Sequence, residues 1–569
     1  MPVSSRRRFL SATLAAGAGL PLVTLPPPLA GVRRAPGAPP DDPTVDDIAA
    51  AERVLGLSFR PEQRALMLDD VTERLDRLEA IRAAEPSNAV PPALVLDLAL
   101  SGEPRPAPGA GASVPVPEVG PRPSDTDLAF ATLPELGAWL RAGAVTSEEL
   151  TRLALRRLTQ YDPQLLAVVS LLPGRALDTA RLRDAELAAG VDRGPLHGIP
   201  YGAKDLLAAR GAPTTWGAEP YRDQTLDEDA AVVERLEAAG AVLVAKLTLG
   251  ALAWGDVWFG GMTRNPWNPD QGASGSSAGP GAAVAAGLVP FAIGSETLGS
   301  IVSPSTRNGV TGHRPTFGRV PTRGAMALSW SMDKLGPMAR SAVDCALVFD
   351  AIRGAEGGSD PAFPFDPAAP LAGLRVGVLA EAFDEGEGPG PDADRATLGV
   401  LRRLGVDPQA VSLPSGLPVD ALLVILEAEA AAAFDGLTRS GGVDALTRQE
   451  RNAWPNVFRH ARLIPAVEYI NANRLRTVLM REMAALFDTV DVLVAPSFGT
   501  SALAITNLTG HPAVALPNGL IPVEGHPTRR QPHSITFMGP LWQDHLPLRL
   551  AHAVQAATDV HRQRPPVGA

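Results

Sequence analysis

Residues Gln271 to Pro304 read QGASGSSAGPGAAVAAGLVPFAIGSETLGSIVSP. Two small-residue loops, GASGSSAGPG and GSETLGS, are joined here by an Ala/Gly/Val run. Glycine and serine at this density add little to a core; they let backbone approach backbone, or backbone approach a ligand. The apolar run Leu288 to Ile293 reads as a short buried strand. Ser300 then falls just past a strand, where the N–H groups of Thr297, Leu298, Gly299 and Ser300 can converge on one point. Such a nest of donors is what an oxyanion hole requires.

Working outward, composition narrows the classes. The chain has 569 residues, 45% hydrophobic and 20% charged, which suits a globular protein with a large core. A net charge of −11 argues against nucleic acid or an anionic membrane as partner. One cysteine, Cys345, excludes an internal disulfide. Histidines are few and scattered, with no HExxH pattern, so no metal is expected.

The first 30 residues resemble a twin-arginine export signal: Arg6 and Arg7, then Phe9 and Leu10, then a mildly apolar run. That run is too short and too rich in proline for stable membrane insertion. After a linker over 31–43, residues 44–100 read as a helical segment. Pro61 suits a first helical position, and Leu68, Val71, Leu75 and Leu78 form one apolar stripe. The stripe docks on the main domain or joins two copies as a homodimer. Residues 101–126, rich in Pro and Gly, read as a linker, and the main domain is expected over 127–569. There, alternating helical and strand-like stretches indicate an α/β domain with helices on both faces of a sheet. LLAVVSLL, AVLVAKL, LRVGVLA and DVLVAPS are strand candidates, while 384–394 reads as a solvated acidic loop.

Among 51 basic residues only Lys204, Lys246 and Lys334 are lysines. Arginine does not give up its proton, whereas a buried lysine does so near neutrality. Lys246 and Lys334 read as lysines whose stems pack while their heads reach a carbonyl or water. Lys204 differs by its Gly/Pro-rich surroundings, GIPYGAKD, expected to be a turn covered by other loops. Gly275 to Gly279 also fit the GxSxG nucleophile elbow, with Ser277 as nucleophile, but that elbow needs a strand running into the serine. TRNPWNPDQGAS is not expected to contain one.

GPLHGIPYGAKD, the Gln271–Pro304 stretch with its lead NPWNPD, GVTGHRPTFGRV, VLVAPS and NLTGHPAVALP resemble, in order, the motifs of the amidase signature family. Ser300 lies 24 positions after Ser276, which suits the family's two-serine pattern. The resemblance implies an α/β/α sandwich around a large mixed sheet. It implies Lys204 as base, Ser276 as bridging serine on a cis peptide bond and Ser300 as nucleophile, with no cofactor. Ser277 is expected to hold Lys204 or Ser276 by a hydrogen bond. The implied reaction is cleavage of a carboxamide C–N bond, in a small-molecule or peptide amide, through an acyl-enzyme. The same site permits esterase activity, and a catalytically silent binding protein on this scaffold is a third alternative. The tRNA-linked amidotransferases of the family fit an exported chain poorly.

Departures from the family pattern stand at Ala278, at Leu298 where glycine is usual, and in a shortened VLVAPS–NLTGHPA connection. The family's arginine two residues after the nucleophile is Val302 here. Glu296 thereby loses its usual partner, and Arg307 is expected to reach back and pair with it.

Overall fold

Eleven strands form the central sheet of the computed structural model, which describes residues 43–84, 87–91, 94–354, 361–384, 387–523 and 525–568. The expected export signal and all but the last residue of the linker after it lie outside these residues. In chain order the strands are β1 Val168–Leu171, β2 Pro200–Lys204, β3 Val242–Leu247, β4 Phe291–Glu296, β5 Thr311–Arg314 and β6 Lys334–Ala339. They continue with β7 Val376–Val378, β8 Gln409–Ala410, β9 Val492–Pro496, β10 Ala513–Val523 and β11 His526–Met538. The spatial order is β1-β3-β2-β4-β6-β5-β10-β11-β9-β7-β8. Pairing is parallel from β3 through β2 to β4 and antiparallel from β4 to β6, so the sheet is mixed.

Side-chain alternation explains why helices cover both faces. Val242 and Val244 pack into one apolar cluster while Leu243 points into another; Ala292 and its neighbours Phe291 and Ile293 divide the same way. One cluster takes in the helix Ala278–Ala285, the other the helix Ala342–Ile352. This is the expected α/β/α architecture.

Several expectations change. The strand before GSETLGS starts at Phe291 and runs to Glu296, so Ser295 and Glu296 are strand residues rather than loop residues. Lys204 is not in a turn: it ends β2, between β3 and β4, where hydrogen-bonded neighbours on both sides bury it completely. Asn268–Gly272 does form a strand, paired with Arg264–Asn265 in a small ribbon outside the main sheet. It stops short of Ser277, because Ala273, Ser274, Gly275 and Ser276 intervene, and Ser274 is left-handed with φ 61°. Residues 389–394, expected as acidic loop, open the helix Pro389–Arg403.

The N-terminal segment contains the helices Val45–Leu55 and Pro61–Ala84, joined by an Arg64–Glu52 ion pair at 2.8 Å. Thr44 caps the first, its hydroxyl accepting from the Asp47 N–H. Along the expected stripe Leu68, Val71 and Leu78 are half-buried but Leu75 is exposed. Residues 101–126 run against the domain instead of hanging free. Ala107 and Ala110 accept from Ala362 and Phe363, Ser113 donates to Phe365, and Ala112 donates to the Asp350 carboxylate. No helix among the described residues is long and apolar enough to cross a membrane.

Candidate active site

The end of β2 aims Lys204 at two serine loops. Its Nζ lies 2.7 Å from Ser276 Oγ, 3.0 Å from Ser277 Oγ and 2.9 Å from Ser295 Oγ. Burial drives the Lys204 ammonium well below the ordinary lysine range, against the opposing pull of Asp333 and Glu296. The site therefore holds a lysine whose charged form is disfavoured by burial, ringed by hydroxyls.

The first loop is shaped by close backbone packing. A Cβ on Gly275 would lie 1.8 Å from the Gly255 carbonyl oxygen, so only glycine fits there. The Gly275–Ser276 peptide is cis, as the resemblance implied. The Ser277 hydroxyl donates to the Ser295 carbonyl at 3.1 Å and accepts from the Ser295 N–H at 3.1 Å and from Lys204. Its backbone N–H donates to the Ser300 carbonyl at 3.2 Å, locking the two loops together.

Glu296 staples the second loop. One carboxylate oxygen accepts from the Ile301 and Val302 N–H groups at 2.8 and 2.9 Å, which folds residues 296–302 into a tight turn. The other accepts from Arg314 and from Asn507, each at 2.8 Å. Burial works to raise the Glu296 carboxyl, but Arg314, the Val302 N–H and Asn507 overcome it and hold it at about 2. Arg307 is not its partner. That guanidinium donates instead to Gln271 at 3.0 Å, because the helix Val302–Asn308 carries it away from the strand end.

The Thr297 hydroxyl donates to Asp333 at 2.6 Å, whose other oxygen takes the Leu328 and Ser329 N–H groups at 2.7 and 3.0 Å. Burial pushes Asp333 up to about 6 despite these donors. Gly299 is left-handed at φ 94° and Leu298 is half-exposed. The N–H groups of Thr297, Leu298, Gly299 and Ser300 have no acceptor among the described residues. The Ser300 hydroxyl is likewise outside hydrogen-bond contact with Ser276, so the structure joins Lys204, Ser276 and Ser277 directly and Ser300 through its backbone.

Sequence reasoning missed Ser295, Arg314, Asp333 and Asn507. Arg314 and Asn507 lie inside GVTGHRPTFGRV and NLTGHPAVALP, so the motifs were visible while their roles were not. The other two lysines are structural. Lys246 pairs with Asp205 at 2.7 Å, more than a lysine head resting on a carbonyl, and Lys334 donates to the Met332 carbonyl as expected. No group of residues that could hold a metal ion occurs among the described residues.

A family model described as Amidase matches residues 149–515. A glutamyl-tRNA(Gln) amidotransferase subunit from Chloroflexus aurantiacus is 34% identical over 489 residues, covering 77% of this chain and 99% of that protein. Native peptide amidase from Stenotrophomonas maltophilia is 30% identical with a TM-score of 0.67, covering 78% of this chain and 99% of its own. An amidase family protein from Bacillus anthracis, at 22% identity, shares the fold with a TM-score of 0.68 over 78% of this chain and 93% of its own.

Proposed function

The chain belongs to the amidase signature family, and from that premise we propose that it hydrolyses a small-molecule or peptide carboxamide through an acyl-enzyme on Ser300. The observation that carries this is the fully buried Lys204, its Nζ within 3.0 Å of three hydroxyls and its ammonium form disfavoured. A neutral amine has two N–H groups and one lone pair. Ser277 and Ser295 take the two N–H groups, which leaves the lone pair for the Ser276 proton. Lys204 then draws the proton of Ser276 as Ser276 draws that of Ser300. Ser300 Oγ attacks the amide carbonyl, and the oxyanion is received by the N–H groups of residues 297–300. Collapse breaks the C–N bond, and the proton held at Lys204 returns through Ser276 to the departing amine. Water, deprotonated by the same relay, then releases the acid and restores Ser300.

The test is labelling with a fluorophosphonate, mapped by mass spectrometry, alongside hydrolysis of a panel of amides and matched esters. Label on Ser300 with amide turnover supports the reading; label elsewhere or none overturns it. Esters turned over to the exclusion of amides favour the esterase alternative.

The 34% identity to a component of an amidotransferase supports a second reading, in which the chain releases ammonia for a partner's use. Amide hydrolysis by the purified chain alone, at the same rate with and without cell extract, speaks against it. Export by a twin-arginine route belongs to the first reading, and fractionation of cells expressing the full chain tests it.

A further inference from the structure

A segment ahead of the family-matched residues packs against residues that brace the candidate active site. Ser87 to Val90 form a turn, closed by the Val90 N–H on the Ser87 carbonyl at 2.9 Å. From it the Asn88 amide grips the backbone of Ala327 at two points: Nδ2 donates to the Ala327 carbonyl at 2.8 Å, and Oδ1 accepts its N–H at 2.7 Å. Ala327 sits at a junction. On one side Met326 donates to the Leu206 carbonyl at 3.0 Å, two residues beyond Lys204. On the other, the Leu328 and Ser329 N–H groups fix Asp333, which takes the Thr297 hydroxyl. Farther along the same segment, Leu98 is buried with Met480 and Leu541, and the Glu103 carboxylate meets His511 at 3.0 Å and the Leu541 N–H at 2.8 Å. The His511 carbonyl in turn accepts from Arg314, the partner of Glu296.

We propose that Asn88 is a positioning residue for the oxyanion site. By holding Ala327 it sets the Asp333 carboxylate, and through it Thr297, the first residue of the N–H nest. The inference rests on the Ser300 reading above. An asparagine amide matches a peptide's donor and acceptor together, as no aliphatic residue can. A nest that is set a fraction of an ångström out loses transition-state stabilisation without losing substrate affinity.

The experiment compares wild type, Asn88→Ala and Asn88→Asp as full chains, on one amide substrate and one fluorophosphonate, with active sites titrated by the probe. The expected result for Asn88→Ala is about a tenfold fall in kcat and in labelling rate, with KM within about twofold. Melting temperature is expected to hold within about 2 °C, since Asn88 is half-exposed. Asn88→Asp keeps the acceptor for the Ala327 N–H and falls between the two. An unchanged kcat per titrated site in Asn88→Ala, with or without a lower melting temperature, overturns the proposal. So does a loss confined to KM. A wild type that labels at Ser300 while both variants match it removes this inference alone; a wild type unlabelled at Ser300 removes the underlying reading as well.

Discussion

The Arg314 guanidinium donates to the Glu296 carboxylate at 2.8 Å in a place where neither side chain is exposed to solvent. β4 and β5 each flank β6, so the pair is set by sheet order. With Asn507 and two backbone N–H groups also on the carboxylate, every acceptor position is used. Having valine at position 302 therefore leaves no vacancy at Glu296.

Breaking this pair from either side strands a buried charge. Arg314→Met is expected to cost about 3–5 kcal/mol of stability. Arg307→Ala, which loses only a half-buried bond to Gln271, is expected to stay within about 1 kcal/mol of wild type. Urea denaturation of the two variants checks the ranking, and equal losses would count against the pairing.

Acid should unfold the protein through the same carboxyl. Glu296 is held near 2 against an ordinary 4.5. A carboxyl depressed in this way stabilises the fold fully above about pH 4.5 and loses that contribution as pH falls toward 2. The amount is on the order of 3 kcal/mol. Wild-type stability between pH 6 and pH 3 should fall more steeply than that of Glu296→Gln; parallel curves would sink the assignment.

Amide hydrolysis should rise with pH as Lys204 loses its proton, with a midpoint well below that of a free lysine, because burial disfavours the charged form. Single-turnover acylation rates from about pH 6 to about pH 9 provide the check. A flat profile would falsify the base role. Lys204→Met should leave the fold in place, since it removes a desolvated amine from an enclosed site.

Ser300→Ala is expected to abolish acyl-enzyme formation, while Ser276→Ala slows it about a hundredfold or more by breaking the proton relay. Trapping of the acyl adduct on rapid acid quench, followed by intact-mass measurement, separates the two. An adduct formed at the normal rate by Ser300→Ala would show another nucleophile.

Gly275→Ala should fail more severely than any surface change. Its Cβ would lie 1.8 Å from a backbone oxygen of Gly255, where no side-chain rotation can relieve the clash. The serine loop must shift, taking Ser276 away from Lys204. Activity falling to background with far-ultraviolet dichroism retained is the expected pattern.

Local sequence determined what depends on neighbours along the chain. The small residues of 271–304 fixed two tight loops, the position of Ser276 beside a glycine that meets another backbone, and Ser300 after a strand. The rarity of lysine isolated three candidates, and helical stretches alternating with apolar runs such as AVLVAKL marked a sheet covered by helices on both faces. Tertiary structure decided which of those groups met. GIPYGAKD looks like a turn because its glycines and proline suppress the strand pattern, yet β3 and β4 pair with it on both sides and bury Lys204. Arg307 was near Glu296 in sequence and Arg314 is near it in space, because the helix after Ser300 turns one away while β5 returns the other. Asn507 reaches the same carboxylate from 211 residues away, and Asn88 grips Ala327 across 239. Periodicity along a chain reports that a residue will be buried; its partner is chosen by strand order and by the paths of distant segments, which no local pattern encodes.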